Sequence, residues 1–175
     1  MEQGHEQDYA HYHVDLPYPQ VLPGRDPCAA ALLMEDYSGI TSELSAITQY
    51  FYASTRMRGH CDAVYNAMKY IAVVEMHHLD LLSQAITAKG GDPRYVLYGG
   101  RKPEQFWNAD VIEYGKSRSN ILLESIESEE AAINQYQCHI HRIPDESVKA
   151  LLRRIIMDEE VHLQTFKDLY CQFEA

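Results

Sequence analysis

Two Glu-x-x-His segments are the residues in this chain whose types and spacing could do chemistry. Glu75 precedes His78 by three residues, and the same spacing separates Glu159 from His162. In an α-helix, residues three apart lie about 60° from each other around the axis, so each pair leaves one face, a turn apart. A carboxylate and an imidazole on one helix face can bind a divalent metal ion. One such pair is a weak signal, because short polar spacings arise by chance.

An internal repeat strengthens this signal. Residues 43–50 read Glu-Leu-Ser-Ala-Ile-Thr-Gln-Tyr, and residues 129–136 read Glu-Glu-Ala-Ala-Ile-Asn-Gln-Tyr. The Glu, Ala, Ile, Gln and Tyr positions of these segments coincide at an offset of 86 residues (129 − 43). The two Glu-x-x-His pairs repeat at an offset of 84 residues (159 − 75). The chain therefore reads as a duplicated helix hairpin, with one glutamate on the first helix and Glu-x-x-His on the second helix of each half.

The hydrophobic pattern predicts the helices that must position these segments. Apolar residues recur at steps of three and four within four segments, at about residues 28–58, 62–89, 108–142 and 146–173. In the first segment this inward stripe includes Ile40 and Phe51, and Asn108 or Asp110 is predicted to cap the third helix. Residues 94–107 are predicted to be an irregular connection, too long for a hairpin turn. We therefore predict an all-α four-helix bundle of two helix hairpins, with a long crossover between helices 2 and 3.

Ionisable side chains fall on the predicted inward stripes at six positions: Glu43, Glu75, His78, Glu129, Glu159 and His162. Burying four carboxylates together without compensation would be strongly unfavourable. Two divalent cations would balance their charge, and two neutral imidazoles would complete the ligand set. Oxygen-rich ligation with one nitrogen per metal suits iron(II) or manganese(II) better than structural zinc or copper. We therefore predict a dinuclear metal centre. Glu75 and Glu129 or their counterparts would bridge the metals, and the sequence does not say which of them do.

Composition and charge limit the classes of partner that the protein is expected to bind. The formal net charge of −11 argues against binding nucleic acid or an anionic membrane surface. No apolar run approaches the roughly 20 residues that span a bilayer. The polar first residues lack the apolar core of a signal peptide, so we expect a cytoplasmic protein. The scattered cysteines form no Cys-x-x-Cys pair, and we expect them to be reduced and mostly buried: Cys28, Cys61, Cys138 and Cys171.

The chain divides into an arm and one domain. Residues 1–27 contain four prolines that forbid a continuous helix, and we predict an extended arm that is solvated or drapes over a partner. Residues 28–175 are predicted to form the bundle, which is long enough to bury a full core.

The four motif segments carry a resemblance to a known family. They are Glu43…Ala-Ile-Thr-Gln-Tyr, Glu75-Met-His-His, Glu129…Ala-Ile-Asn-Gln-Tyr and Asp158-Glu-Glu-Val-His. They resemble the ligand segments of the ferritin-like di-iron carboxylate superfamily, specifically its bacterioferritin and rubrerythrin branches. The resemblance covers residues from about 29 to 173 and leaves only the arm outside it.

This resemblance implies an enzyme with a bridged pair of iron ions that are held by the six residues above and react with O2 or H2O2. The implied activity is that of a ferroxidase or a rubrerythrin-like peroxidase, with iron(II) or an external donor supplying electrons. A homo-oligomer, at least a dimer, is also implied. Around the metals, Tyr50 and Tyr136 would hydrogen-bond to ligand carboxylates or give up electrons, and Asp158 would orient a ligand histidine.

Several positions depart from the family pattern. Rubrerythrins carry a rubredoxin domain, for which this chain lacks both the length and the cysteine pairs. They also have a further glutamate three residues after the third-helix ligand, where this chain has Ala132, and Ala46 is the symmetric residue. Met76 follows Glu75 where bacterioferritins place a haem-ligating methionine; we do not expect haem, because a helical methionine usually packs. Glu127 and Glu130 are expected to be solvated or to belong to an iron access route.

Three alternatives remain open from the sequence. A dimanganese catalase would use similar ligands. An iron-storage protein would assemble many subunits into a cage that the site loads. A structural protein would use the metals only to stabilise the bundle.

Overall fold

The computed structural model describes residues 9–97 and 105–174, and within them the chain is an all-α bundle, as predicted. The α-helices are α1 (Pro27–Ser38), α2 (Glu43–Met57), α3 (Asp62–Ala88), α4 (Arg118–Arg142) and α5 (Glu146–Glu174). Helices α2 and α3 pack as one hairpin and α4 and α5 as the other. Helices α1 and α2 together take the place of the first bundle helix. Four helical rods therefore surround the core.

The first predicted helix, residues 28–58, is wrong in one respect, because it is broken between α1 and α2. The backbone at Gly39 turns so tightly that a Cβ there would lie 2.4 Å from the carbonyl oxygen of Glu35. Ser42 restarts the helix: its hydroxyl accepts a hydrogen bond from the backbone N–H of Ser45 and donates one to the Gly39 carbonyl. Ile40 lies in the break and is 69% exposed, contrary to its predicted inward position.

The third bundle helix begins later than predicted. Asn108 caps only a short 3-10 turn, Ala109–Val111, and Ser117 caps α4. The crossover also contains a short antiparallel pair that was not predicted, in which β1 (Val96–Leu97) lies beside β2 (Gln105–Phe106). The rest of the predicted crossover, residues 98–104, lies outside the described residues.

The core consists of two apolar clusters that lie on either side of a polar layer. Along α3, Ile71 belongs to one cluster and Leu82 to the other, and both are fully buried. Along α5, Ile155 and Phe166 alternate between the same clusters. Both Glu-x-x-His pairs fall between these positions, so the apolar layers position the polar one. Phe51, predicted to face inward, is instead 64% exposed.

The described part of the arm, residues 9–26, lies along its own bundle, with many of its side chains exposed. Its short 3-10 turn, Ala10–Tyr12, contacts both α3 and α5. Further along, the buried Lys89 side chain donates to the Leu22 carbonyl and pairs with Asp145 at 2.5 Å. These contacts fasten the arm at both ends of its path.

The cysteines do not occupy the buried positions that were predicted. Cys28, Cys138 and Cys171 are exposed, and Cys61 is partly buried. All four are free thiols. Cys61 packs against the apolar cluster that contains Phe166, and the other three contribute little to the core. Across residues 9–97 and 105–174, the structure contains no helix with the length and apolar character needed to cross a bilayer.

Candidate metal centre

The structure brings the six predicted ionisable side chains together at the middle of the bundle. Helices α2 and α4 each supply one glutamate, and α3 and α5 each supply a Glu-x-x-His pair. All six are buried, none more than 4% exposed: Glu43, Glu75, His78, Glu129, Glu159 and His162. In a bundle core, so many ionisable groups are tolerated only when their charges are balanced.

These side chains form two overlapping groups. Glu43 and His78 belong to the first group and Glu129 and His162 to the second, while Glu75 and Glu159 belong to both. Within each group, one ligand atom from every residue lies within 4.8 Å of the others. The shared carboxylates are therefore Glu75 and its repeat counterpart. The sequence left open which glutamates bridge the metals; in this geometry Glu129 belongs to one group only.

Both imidazoles turn Nδ1 toward the centre. In His78, Nδ1 lies 2.9 Å from Glu75 and 3.1 Å from Glu159. In His162, Nδ1 lies 3.1 Å from Glu75. The Nε2 atoms face outward, and an Nε2–H that donates to an outer acceptor leaves the Nδ1 lone pair directed at the centre.

The outer acceptors of the two imidazoles differ. His78 Nε2 lies 3.1 Å from the carboxylate of Asp158, whereas His162 Nε2 lies 2.8 Å from the backbone carbonyl of Tyr12. Asp158 was singled out in the sequence. Tyr12 was missed, because a backbone carbonyl of an irregular arm has no sequence signal.

Asp158 is held by a buried network of its own. Arg154 Nη1 lies 2.8 Å from it, the backbone N–H of Val14 donates at 2.7 Å, and the Tyr18 hydroxyl donates at 2.5 Å. The Arg154 pair could have been predicted, since residues four apart on a helix face each other. The two arm residues could not.

Two buried tyrosines donate hydrogen bonds to Glu43 and Glu129, the two glutamates that the groups do not share. The Tyr50 hydroxyl donates to Glu129 at 2.6 Å, and the Tyr136 hydroxyl donates to Glu43. Each hydrogen bond restricts the conformation of the carboxylate. In Glu43 the other oxygen, Oε2, lies 3.8 Å from His78 Nδ1.

The electrostatics of the centre are those of crowded carboxylates. Burial and the neighbouring glutamates raise the pKa of Glu43 and Glu129 well above its ordinary value. Burial opposes the charged form of His78 and His162, yet the surrounding carboxylates raise the pKa of both rings. The centre is thus a concentration of negative charge that protons or cations must balance.

The donor set fits a pair of divalent ions. Oε1 of Glu75 and Oε1 of Glu159 are buried, and each lies 3.1 Å from a histidine Nδ1, that of His162 and that of His78 respectively. When both rings carry their proton on the outward Nε2, neither Nδ1 can donate, and these two oxygens lack a hydrogen-bond donor. These are the two shared carboxylates, so each group contains an unsatisfied oxygen where a cation would bind. Four carboxylates offset the charge of two divalent ions, and the mixture of oxygen and imidazole donors suits iron(II) or manganese(II).

A cavity of about 430 Å³ reaches the centre from the side of α2 and α4. Ala46 and Ala132 line it, so the positions that lack the extra rubrerythrin glutamate leave open space instead. Glu127 also lines the cavity, whereas Glu130 pairs with Lys167 at 2.7 Å on the surface. Met76, which was expected to pack, is instead 49% exposed on α3.

Comparisons with known proteins agree with this architecture. No curated protein matches the chain. KatB, a manganese catalase from Anabaena, matches with a TM-score of 0.81 and 25% identity, over 93% of this chain and 80% of that chain. The fold is also that of Mycobacterium tuberculosis bacterioferritin BfrA (TM-score 0.69, 23% identity, 86% and 90% covered) and Desulfovibrio desulfuricans bacterioferritin (0.69, 22%, 84% and 80%). The sequence profile named Rubrerythrin matches residues 37–170. Because that match spans most of the chain, the protein belongs to the rubrerythrin family, within the ferritin-like superfamily.

Proposed function

We propose that the protein is an oxidoreductase that uses H2O2 or O2 at a dinuclear carboxylate–histidine centre. The observation that carries this proposal is the pair of overlapping groups, each with three carboxylates and one imidazole, which share Glu75 and Glu159. A buried polar cluster with unsatisfied oxygens on its shared members is what a two-metal site requires.

Each residue has a defined part in this proposal. Glu43 and His78 would hold one metal, Glu129 and His162 the other, and the shared carboxylates both. Two bound iron or manganese ions would supply the redox equivalents that convert the oxidant. The protein contributes ligand geometry, charge balance and exclusion of bulk water from a buried pocket.

The cavity beside the centre gives small molecules a route to the glutamates. Ala46 and Ala132 leave a space next to the glutamates that suits a diatomic molecule or peroxide, and the cavity connects this space with acidic groups toward the surface. Ala132 stands where rubrerythrins have a further glutamate, which argues against a peroxidase cycle that needs this glutamate as an alternative ligand. Electrons for an iron centre would come from iron(II) itself or from an external donor.

The test is an anaerobic titration of metal-free protein with iron(II), followed by oxygen or peroxide and monitored by absorbance. We expect two irons per chain and a ferric absorption band that develops with one or both oxidants. The faster oxidant then distinguishes ferroxidase from peroxidase activity. Binding of fewer than two metals per chain, for iron(II) and manganese(II) alike, would contradict the dinuclear centre.

A dimanganese catalase is a second candidate, supported by the match to KatB over most of both chains. Its test compares manganese-loaded and iron-loaded protein for oxygen release from H2O2. Release that depends on manganese, with an iron form that turns over neither oxidant, would favour the catalase over the di-iron enzyme. Size-exclusion chromatography of the same samples separates a dimer from a storage cage.

A further inference from the structure

We propose that residues 12–18 of the N-terminal arm are a working part of the metal centre, because they position both imidazole ligands from outside and make the two metal positions unequal. The inference rests on the proposed dinuclear centre. It assigns a role to a segment that lies outside the residues matched by the family profile.

The first contact is at His162. Its Nε2 lies 2.8 Å from the Tyr12 carbonyl, the outer hydrogen-bond partner of this fully buried ring. Tyr12 stacks on Tyr70 of α3, with ring centroids 6.3 Å apart, and packs against the apolar cluster that contains Phe166. The tyrosine ring thus anchors the backbone carbonyl that sets the orientation of His162.

The second contact is at His78 and runs through Asp158. Two groups of the arm donate to this carboxylate: the backbone N–H of Val14 and the hydroxyl of Tyr18. Arg154 binds the same carboxylate, and its guanidinium lies 4.2 Å from the centre of the Tyr18 ring. The arm therefore closes a buried network whose inner end is the imidazole.

The sequence repeat shows why the arm is needed. Asp158 directly precedes Glu159, but the equivalent residue before Glu75 is Val74, which is buried and offers no hydrogen-bond acceptor. His162 would lack an outer hydrogen-bond partner if the bundle helices alone supplied such partners. The arm provides the missing acceptor as a backbone carbonyl.

The difference between a carboxylate acceptor at His78 and a carbonyl acceptor at His162 makes the two metal positions unequal. A histidine that donates to a carboxylate is a more basic ligand than one that donates to a neutral carbonyl. The position beside His78 should therefore bind a divalent metal more tightly than the position beside His162. The arm lies across α3 and α5, whereas the cavity opens beside α2 and α4, so the arm leaves that access route free.

The test uses cobalt(II) as a spectroscopic probe, titrated into metal-free full-length protein. We expect two cobalt ions per chain in two resolved steps. Tyr18→Phe should weaken the tighter step and Tyr12→Ala the other, each by about 10- to 100-fold, with a changed visible spectrum for that step. Tyr12→Phe keeps the ring and should restore the wild-type step. Leu22→Ala, on the same arm beyond residues 12–18 and 66% exposed, is the matched control and should change neither step.

The outcomes separate the two proposals. Fewer than two cobalt ions on the wild-type chain would overturn the dinuclear centre itself. Two ions with steps that neither tyrosine variant changes would overturn only the role of the arm. A uniform loss of both steps in Tyr12→Ala and Tyr18→Phe, accompanied by a lower melting temperature of the metal-free protein, would assign the arm a purely structural role and also overturn the inference.

Discussion

Tyr50 and Glu129 belong to different halves of the sequence repeat, and the Tyr50 hydroxyl donates a 2.6 Å hydrogen bond to the Glu129 carboxylate. The reciprocal pair joins Tyr136 to Glu43. Each half therefore holds a carboxylate of the other. The repeated Gln-Tyr endings of the two segments have a physical role: they cross-link the halves at the level of the centre.

Replacing Tyr50 by Phe should weaken one metal position. The variant leaves the Glu129 carboxylate without its hydrogen bond, and such losses typically cost about 10- to 100-fold in metal affinity. The measurement is calorimetric titration with manganese(II). Tyr52→Phe is the matched control, because the Tyr52 ring packs edge-on against Tyr114, away from the six ionisable residues. Equal affinities in Tyr50→Phe and wild type would contradict the prediction.

The shared carboxylates should behave differently from the unshared ones. Glu75→Gln removes a ligand charge common to both groups, so we expect binding at both positions to be lost or severely weakened. Glu43→Gln removes a ligand of one group only and should leave about one metal per chain. Elemental analysis after dialysis gives the stoichiometry. A chain with Glu75→Gln that still holds two metals would show that the carboxylate is not shared.

The helix break at Gly39 should be sensitive to a single methyl group. Gly39→Ala would place a Cβ 2.4 Å from the Glu35 carbonyl oxygen, and overpacking of this kind costs about 1–3 kcal/mol in the free energy of unfolding. Thermal unfolding of the metal-free protein measures it. Gly24→Ala is the control, because no atom lies within 4 Å of a Cβ there. An unchanged melting temperature in Gly39→Ala would mean that the break is not fixed at this residue.

Glu127 lines the cavity and should speed the approach of metal ions. One charge about 5–10 Å from the path of an ion changes its energy by about 0.4–0.8 kcal/mol per unit of ion charge in water, so Glu127→Gln should slow metal uptake at least roughly twofold. Stopped-flow absorbance with cobalt(II) follows the rate, and added salt should reduce the difference. Glu130→Gln, which alters the surface pair with Lys167, should have little effect on uptake. Equal slowing in both variants would assign the effect to net charge.

His139 should stabilise the protein more at about pH 6 than at about pH 9. Burial opposes its charged form, yet the Asp36 carboxylate, 2.9 Å from Nδ1, raises the pKa of the imidazole. A folded pKa above the unfolded value of about 6.5 means that the stabilisation is complete below that pH and is lost as pH rises through the folded pKa. His139→Gln should therefore lower the melting temperature more at about pH 6 than at about pH 9. His141→Gln, an exposed change on the same helix, is the control; a pH-independent loss in His139→Gln would contradict this assignment.

Much of the fold was predictable because the relevant signals are local. The steps of three and four in apolar residues define α3 and α5 closely, and Gly90 ends α3 in the left-handed conformation that favours glycine. The break before Glu43 was missed because the apolar period continues through Ile40. The late start of α4 was missed because Asn108 is itself a good cap, here of a 3-10 turn.

The sequence by itself determined which residues could form the centre. Helical periodicity assigns each of the six to an inward face, and the repeat pairs them across two halves. Tertiary structure alone decided how they combine: the packing of α3 against α5 makes Glu75 and Glu159 the shared carboxylates, and the path of the arm gives His162 a backbone carbonyl as its outer partner. Distances between helices and the course of an irregular segment depend on the packing of the whole core, which local periodicity does not encode.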